Sequence, residues 1–213
     1  MTPSDIPAVH RLLLARFKVT PSPIIELIAA QTQDPFKVLI GTILSARTKD
    51  ACTAGACRRL LPLIHEPEDL ARLPIEELER LIFPVGFYRA KARHLHDLPA
   101  VLGEKFGGVL PQTVEELCEL PGVGRKTANL VVAVGFDKPA VCVDVHVHRI
   151  SNRLGLVHTK SPFETEMALR KVLPKRYWKT WNSIIVSFGQ TLCAPRNPRC
   201  CDCPIRRYCP SAT

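Results

Sequence analysis

Apolar residues recur along the chain at the three- and four-residue spacing that lines one face of a helix. Val9, Leu12, Leu13 and Ala15–Arg16–Phe17 predict an amphipathic N-terminal helix. Phe36–Ser45 is apolar almost throughout and predicts a buried helix. Pro74 followed by Glu76 and Glu77 predicts a helix start, because proline fits the first turn and acids suit the positive dipole end. Thr113 with Glu116 is a capping-box pattern opening a short helix. Further helices are predicted over Arg125–Val134, Asp144–Leu154, Pro162–Leu173 and Trp178–Phe188. Strand alternation is absent: Lys138–Val145 comes nearest and reads better as a loop running into a helix. The 19 prolines fall mostly between these segments, where they stop helices. Pro99 falls inside one and predicts a broken or kinked helix. The expected fold class is all-α. There is a faint internal echo. Ile75–Glu–Glu–Leu leads to Val85–Gly86 and a basic helix start, as Val114–Glu–Glu–Leu leads to Val123–Gly124 and another.

Composition leaves room for a core and narrows the class. Hydrophobic residues make up 46% of 213 and aromatics only 6%, so aliphatic side chains must fill the interior. A net charge of +9 suits a polyanionic partner, since each cation that meets a phosphate releases counterions. A basic protein without such a partner is the alternative. The 9 cysteines are odd in number and no secretory segment precedes them: Met1–Phe17 carries Asp5, His10, Arg11 and Arg16 and has no clean apolar stretch. No apolar run approaches a membrane span. An intracellular, reducing setting is expected, where clustered cysteines more often bind metal.

Leu120–Pro–Gly–Val–Gly–Arg–Lys–Thr–Ala128 lies between two predicted helices. Gly122 and Gly124 permit backbone angles closed to other residues and a close approach to a ligand. The following helix starts near Arg125, so its first N–H groups and dipole suit a backbone phosphate, without regard to base sequence. A tightly packed helix–helix turn is the plainer reading of the glycines. The whole string resembles the helix-hairpin-helix motif of the endonuclease III family of DNA glycosylases. The pattern continues through Val143–Asp–Val–His–Val–His–Arg149 and ends in a cysteine cluster, so the resemblance runs from Asp34 to Cys209.

The resemblance gives two residues a catalytic role. Lys126 matches the nucleophile of the bifunctional members and Asp144, 18 residues on, the assisting carboxylate. A lysine amine can attack the sugar C1′, expel the damaged base and leave a Schiff base. It attacks only as the neutral amine, which burial and the helix N-terminus are expected to favour. Asp144 would then stabilise the oxocarbenium-like sugar or help to activate the amine. Spacing alone makes Asp144 a helix N-cap instead. Family members that use water carry a residue other than lysine at this place. Adenine-specific members also have an added C-terminal domain, which a chain ending at Thr213 is expected to lack.

A glycosylase takes its target base out of the stack, and something must fill the gap. By resemblance the filling residues are Arg47, Phe87 and His146. Phe87 suits the role physically, since its ring can stack on bases, although a loop anchor packed on the core is its plainer role. Arg47 stands where glutamine is common in the family, which leaves substrate preference open. His146 alone would be a structural histidine, and His148 is left structural. Gly122, Gly124 and Arg125 complete the expected DNA contacts.

Cys193, Cys200, Cys203 and Cys209 give the spacing C-x6-C-x2-C-x5-C. Four thiolates suit either zinc or a [4Fe–4S] cluster. The resemblance implies [4Fe–4S]. Disulfides are the alternative that the expected compartment disfavours, and Cys201 is a bystander. Arg196, Arg199, Arg206 and Arg207 lie in or beside the loop and can form a phosphate-binding patch, or else a solvated basic tail.

Together these features predict two helical lobes with a DNA-binding cleft between them. One spans residues 28–138 with the hairpin; the other combines 1–27 with 139–213 and the cluster. The implied activity is that of a monomeric glycosylase and abasic-site lyase acting on oxidised pyrimidines in duplex DNA. Competing expectations are a uracil or thymine mismatch glycosylase, and a non-catalytic DNA-binding module with a structural metal site.

Overall fold

Asp34 and Pro35 show how the sequence places a helix. Pro35 pre-sets the first helical φ, and the Asp34 carboxylate accepts the Phe36 N–H at 2.8 Å. In the computed structural model, which describes residues 1–17 and 24–212, these two residues open a helix that its own unit encloses. Eight of its 11 residues, Phe36 and Val38–Leu44, are buried, as a nearly all-round apolar helix requires. Truncating one of them, Leu39 for instance, to alanine costs about 2–5 kcal/mol. The helices are α1 (Ile6–Phe17), α2 (Ile24–Thr32), α3 (Pro35–Ser45), α4 (Asp50–Leu60), α5 (Glu68–Arg72) and α6 (Ile75–Ile82). They continue with α7 (Tyr88–Phe106), α8 (Val114–Leu117), α9 (Arg125–Leu130), α10 (Val145–Arg153), α11 (Pro162–Val172) and α12 (Trp178–Thr191). No strand occurs among the described residues, and Lys138–Asp144 is loop. None of the described helices is long and apolar enough to cross a membrane.

The chain divides into a unit of residues 22–138 and a unit of residues 1–21 plus 139–213. The helix α2, which the lobe boundary at Ile28 would cut, lies whole in the first. In that unit α3 packs on α2 and on a π-helical turn, Val131–Gly135, that prolongs α9. In the second, α1, α10 and α12 share a core built on Ile6, Val9, Leu13, Val147, Ile150, Trp181 and Phe188, closed by Ile205 from the C-terminal loop.

The break expected as one outcome at Pro99 does not occur: α7 runs through it for 19 residues. A proline inside a helix costs about 3 kcal/mol. Here Leu95, Leu98, Pro99 and Leu102 are all fully buried along one side. Each buried leucine returns about 1.5–3 kcal/mol, so packing outweighs the lost hydrogen bond. α7 ends where sequence would end it, at Gly107 and Gly108 in left-handed conformation, with the Gly108 N–H returning to Leu102 O at 2.9 Å.

Candidate functional site

In the first unit the hairpin is built from α8, a glycine turn and α9. Thr113 caps α8: its Oγ1 accepts the Glu116 N–H at 3.3 Å and donates to Glu116 Oε2 at 2.6 Å. The Val123 N–H closes the turn on Leu120 O at 3.2 Å. The two glycines serve different ends. Gly122 has φ +76°, and a Cβ there would stand 2.7 Å from Nδ1 of His94 on α7. Gly124 is extended (φ −97°, ψ 172°), so any residue could adopt its backbone, and a Cβ there would meet nothing within 4 Å. The expectation that both need special angles is therefore corrected: Gly122 does, whereas Gly124 leaves the cap of α9 open in front.

Arg125 and Lys126 begin α9. Arg125 Nη2 lies 3.3 Å from Glu115 Oε1, a pairing that competes with phosphate. Lys126 is exposed, because the inward face of α9 belongs to Thr127, Ala128 and Asn129. The burial expected to favour its neutral amine is thus not supplied by the protein alone.

Arg47 and Phe87 come together in the same unit. The guanidinium carbon sits 5.6 Å from the ring centroid, a cation–π contact. Both residues are exposed and both are left-handed, at φ 54° and 58°. Left-handed backbone is unusual for a bulky residue and marks a place held by its surroundings. Behind them Lys91, which sequence reading passed over as part of a basic helix start, is 6% exposed. Its Nζ donates to Leu44 O at 2.8 Å, Ala46 O at 2.6 Å and Thr48 Oγ1 at 3.2 Å. Burial pushes this ammonium down to about 8. No local signal marks the burial of one lysine among Arg89, Lys91 and Arg93; only its place on the Leu95–Leu98–Leu102 side of α7 hints at it.

In the second unit Asp144 is the N-cap of α10. Its Oδ1 accepts from the N–H groups of His146 and Val147, each at 2.9 Å. His146 is half-buried against α12. Its Nδ1 lies 3.3 Å from Arg149 Nη2, and a Cβ on Gly189 would come within 2.6 Å of it, so the ring is engaged in packing. His148 is held by Thr165 at 2.7 Å, as a structural histidine would be.

The cysteine loop follows α12. Cys193, Cys200, Cys203 and Cys209 line a cavity of about 220 Å³ with Ile150, Arg153 and Ile205. Cys201 is exposed and outside it. No disulfide joins the described cysteines. Burial, reinforced by the neighbouring cysteines, pushes the Cys203 and Cys209 thiols above their usual range. Arg149 donates to Cys193 O at 2.8 Å, and Arg153 to Ala194 O at 2.7 Å and Pro195 O at 2.8 Å, so α10 anchors the loop. Arg196, Arg199, Arg206 and Arg207 are all exposed along it.

Residues 40–175 match the family described as "HhH-GPD superfamily base excision DNA repair protein". The chain is 50% identical to the endonuclease III of Thermotoga maritima over 83% of each protein. It also resembles two solved structures at 37% identity, covering 100% of this chain and 97% of theirs. These are a non-covalent endonuclease III–DNA complex (TM-score 0.84) and a trapped endonuclease III–DNA covalent intermediate, an estranged-adenine complex (TM-score 0.85).

Proposed function

Since this chain belongs to the endonuclease III family of base excision repair proteins and is a DNA glycosylase and abasic-site lyase, we propose that Lys126 is its nucleophile and Asp144 its assisting carboxylate. What carries the assignment is Lys126 on the first turn after the glycine hairpin, inside the stretch that matches the family. The Lys126 amine attacks C1′ as the C1′–N bond breaks, and the base leaves with the bonding pair and takes a proton. The nitrogen then loses a proton and its lone pair expels O4′: the C1′–O4′ bond breaks, O4′ takes a proton, and the opened sugar is held at C1′ as the Schiff base. Removal of a 2′ proton then breaks the C3′–O bond and nicks the strand. Lys126 is exposed in the protein alone, so bound DNA must exclude water from it. Asp144 cannot roam: the α10 cap fixes one of its oxygens, so its charge is presented in one orientation. That is the arrangement that stabilises a cationic sugar at no cost in reorganisation. Gly124, with open space before it, lets a phosphate approach the start of α9, and Arg125 can exchange Glu115 for that phosphate.

The four cysteines are assigned to a [4Fe–4S] cluster. What favours it over a single zinc ion is that the four cysteines line one cavity of about 220 Å³, more room than a single ion fills. When bound, the cluster would cross-link the loop and hold Arg196, Arg199, Arg206 and Arg207 for phosphate contact; base excision transfers no net electrons and needs none from it.

Oxidised or ring-saturated pyrimidines in duplex DNA are the proposed substrates, and a monomer acting inside the cell is the proposed form. The test is turnover of a thymine glycol duplex beside one with uracil opposite guanine. Faster release of thymine glycol supports the substrate class; release of uracil alone replaces it with a mismatch glycosylase.

A further inference from the structure

Two exposed residues forty positions apart in sequence lie in contact, each in a backbone conformation that bulky side chains avoid. Neither Arg47 nor Phe87 is held by a core of its own: Phe87 is 65% exposed and Arg47 lies on an exposed loop. Something beneath must impose the geometry. Lys91 sits one turn into α7, and its own N–H bonds Phe87 O at 3.0 Å. Its side chain reaches the other loop and takes acceptors on both sides of Arg47: Leu44 and Ala46 before it, Thr48 after it. Thr48 Oγ1 also accepts the Gly86 N–H at 3.1 Å, so the bonds form a closed stitch between the loop after α3 and the turn before α7. At Gly86 the two backbones touch so closely that a Cβ would lie 2.6 Å from Arg47 O. A buried ammonium with three acceptors also caps the carbonyl end of α3, where a cation is favoured.

We propose that Lys91 is a positioning residue that ties the Arg47 loop to the Phe87 turn, so that guanidinium and ring meet DNA as one preassembled stacked wedge. This rests on the glycosylase reading above, in which those two side chains fill the space of the extruded base. A wedge ordered in advance leaves less side-chain freedom to lose on entering the stack. Its work is greatest when a base must be unstacked and unpaired, and least when the base is already gone. Lys91 therefore acts on base extrusion and leaves the lysine chemistry of strand cleavage alone.

The experiment compares Lys91→Met and Gly86→Ala with the parent, each checked for folding by circular dichroism. Gly86→Ala breaks the backbone contact without touching Lys91, so it decides the matter if Lys91→Met fails to fold. Release of thymine glycol is measured beside cleavage of a pre-formed abasic site. A third measurement places 2-aminopurine beside a 2′-fluoro thymine glycol nucleotide that resists base release, so its fluorescence rises when the lesion is extruded and the wedge enters, and no chemistry is needed. The expected result is thymine glycol release slowed at least about tenfold, abasic cleavage within about threefold of the parent, and a weakened fluorescence rise. Release and cleavage falling in the same proportion, or neither falling, overturns the proposal, as does an unchanged fluorescence rise. If the parent itself cleaves no abasic site, the catalytic assignment fails instead, and the fluorescence still decides the role of Lys91.

Discussion

Alanine at Gly122 and alanine at Gly124 should do opposite things, although the two residues stand one apart in the same turn. At position 122 the new Cβ enters a left-handed backbone, φ +76°, and stands 2.7, 3.1 and 3.2 Å from Nδ1, Cγ and Cβ of His94. The backbone costs about 1–2 kcal/mol for an L residue. Driving the imidazole off its rotamer adds about 0.5–1.5 kcal/mol. Alanine also restricts the unfolded chain, which returns about 0.4–1 kcal/mol. The net loss is about 2 kcal/mol, or a melting temperature roughly 4–8 °C lower for a chain of this size. His94→Ala in the same background should recover the steric part and leave the backbone part. At position 124 the backbone is extended and the space in front is open, so the melting temperature should stay within about 2 °C of the parent. A methyl there intrudes where the phosphate is proposed to lie, so affinity for duplex DNA should fall about tenfold. The assays are thermal melting by circular dichroism, and anisotropy on a duplex with an abasic analogue at one fixed salt concentration. A stable Gly122→Ala protein would refute the packing argument. A Gly124→Ala protein that binds like the parent would refute the close approach of the hairpin to phosphate.

Asp144→Asn keeps an N-cap of equal quality, so stability should hold within about 0.5 kcal/mol while base release falls about 100-fold or more; base release at the parent's rate would make Asp144 a cap only. Glu26 is raised to about 7, chiefly by burial and further by the Asp50 carboxylate, and its Oε2 has no hydrogen-bond partner. Its folded form binds the proton more tightly than the unfolded chain does, so stability should fall as pH rises from about 4.5 to 7. Glu26→Gln should remove that fall and stabilise the protein by about 2 kcal/mol at pH 8; a melting curve series with the parent's pH slope retained would count against it. Cys203→Ser should abolish visible iron–sulfur absorption and Cys201→Ser should leave it intact, because only Cys203 lines the cavity.

The elements that could be read from sequence were those whose cause is local. The all-apolar stretch of α3 and the Thr113 and Asp144 caps carry their signals within a few residues. Pro99 does not end α7 because the buried leucines beside it find their partners in other helices, which local rules do not weigh. The pairing of Arg47 with Phe87 and the burial of Lys91 join segments about forty residues apart. Nothing at either end announces the other. The place of Lys126 on a first helical turn is legible from the glycines before it, but its exposure depends on which face α9 turns inward, and that is set by Thr127, Ala128 and Asn129 together with their neighbours. The two hairpin glycines looked alike in sequence, and only φ and the position of His94 tell them apart.

The central claim is that Lys126 forms the covalent bond to the damaged sugar, and borohydride trapping tests it most directly. The protein is mixed with thymine glycol duplex under borohydride, and the cross-linked peptide is identified by mass spectrometry, with Lys126→Ala beside the parent. The account predicts a trapped complex that maps to Lys126 and disappears in the variant. A trapped complex that survives in Lys126→Ala, or that maps to another amine such as Lys91, would contradict it.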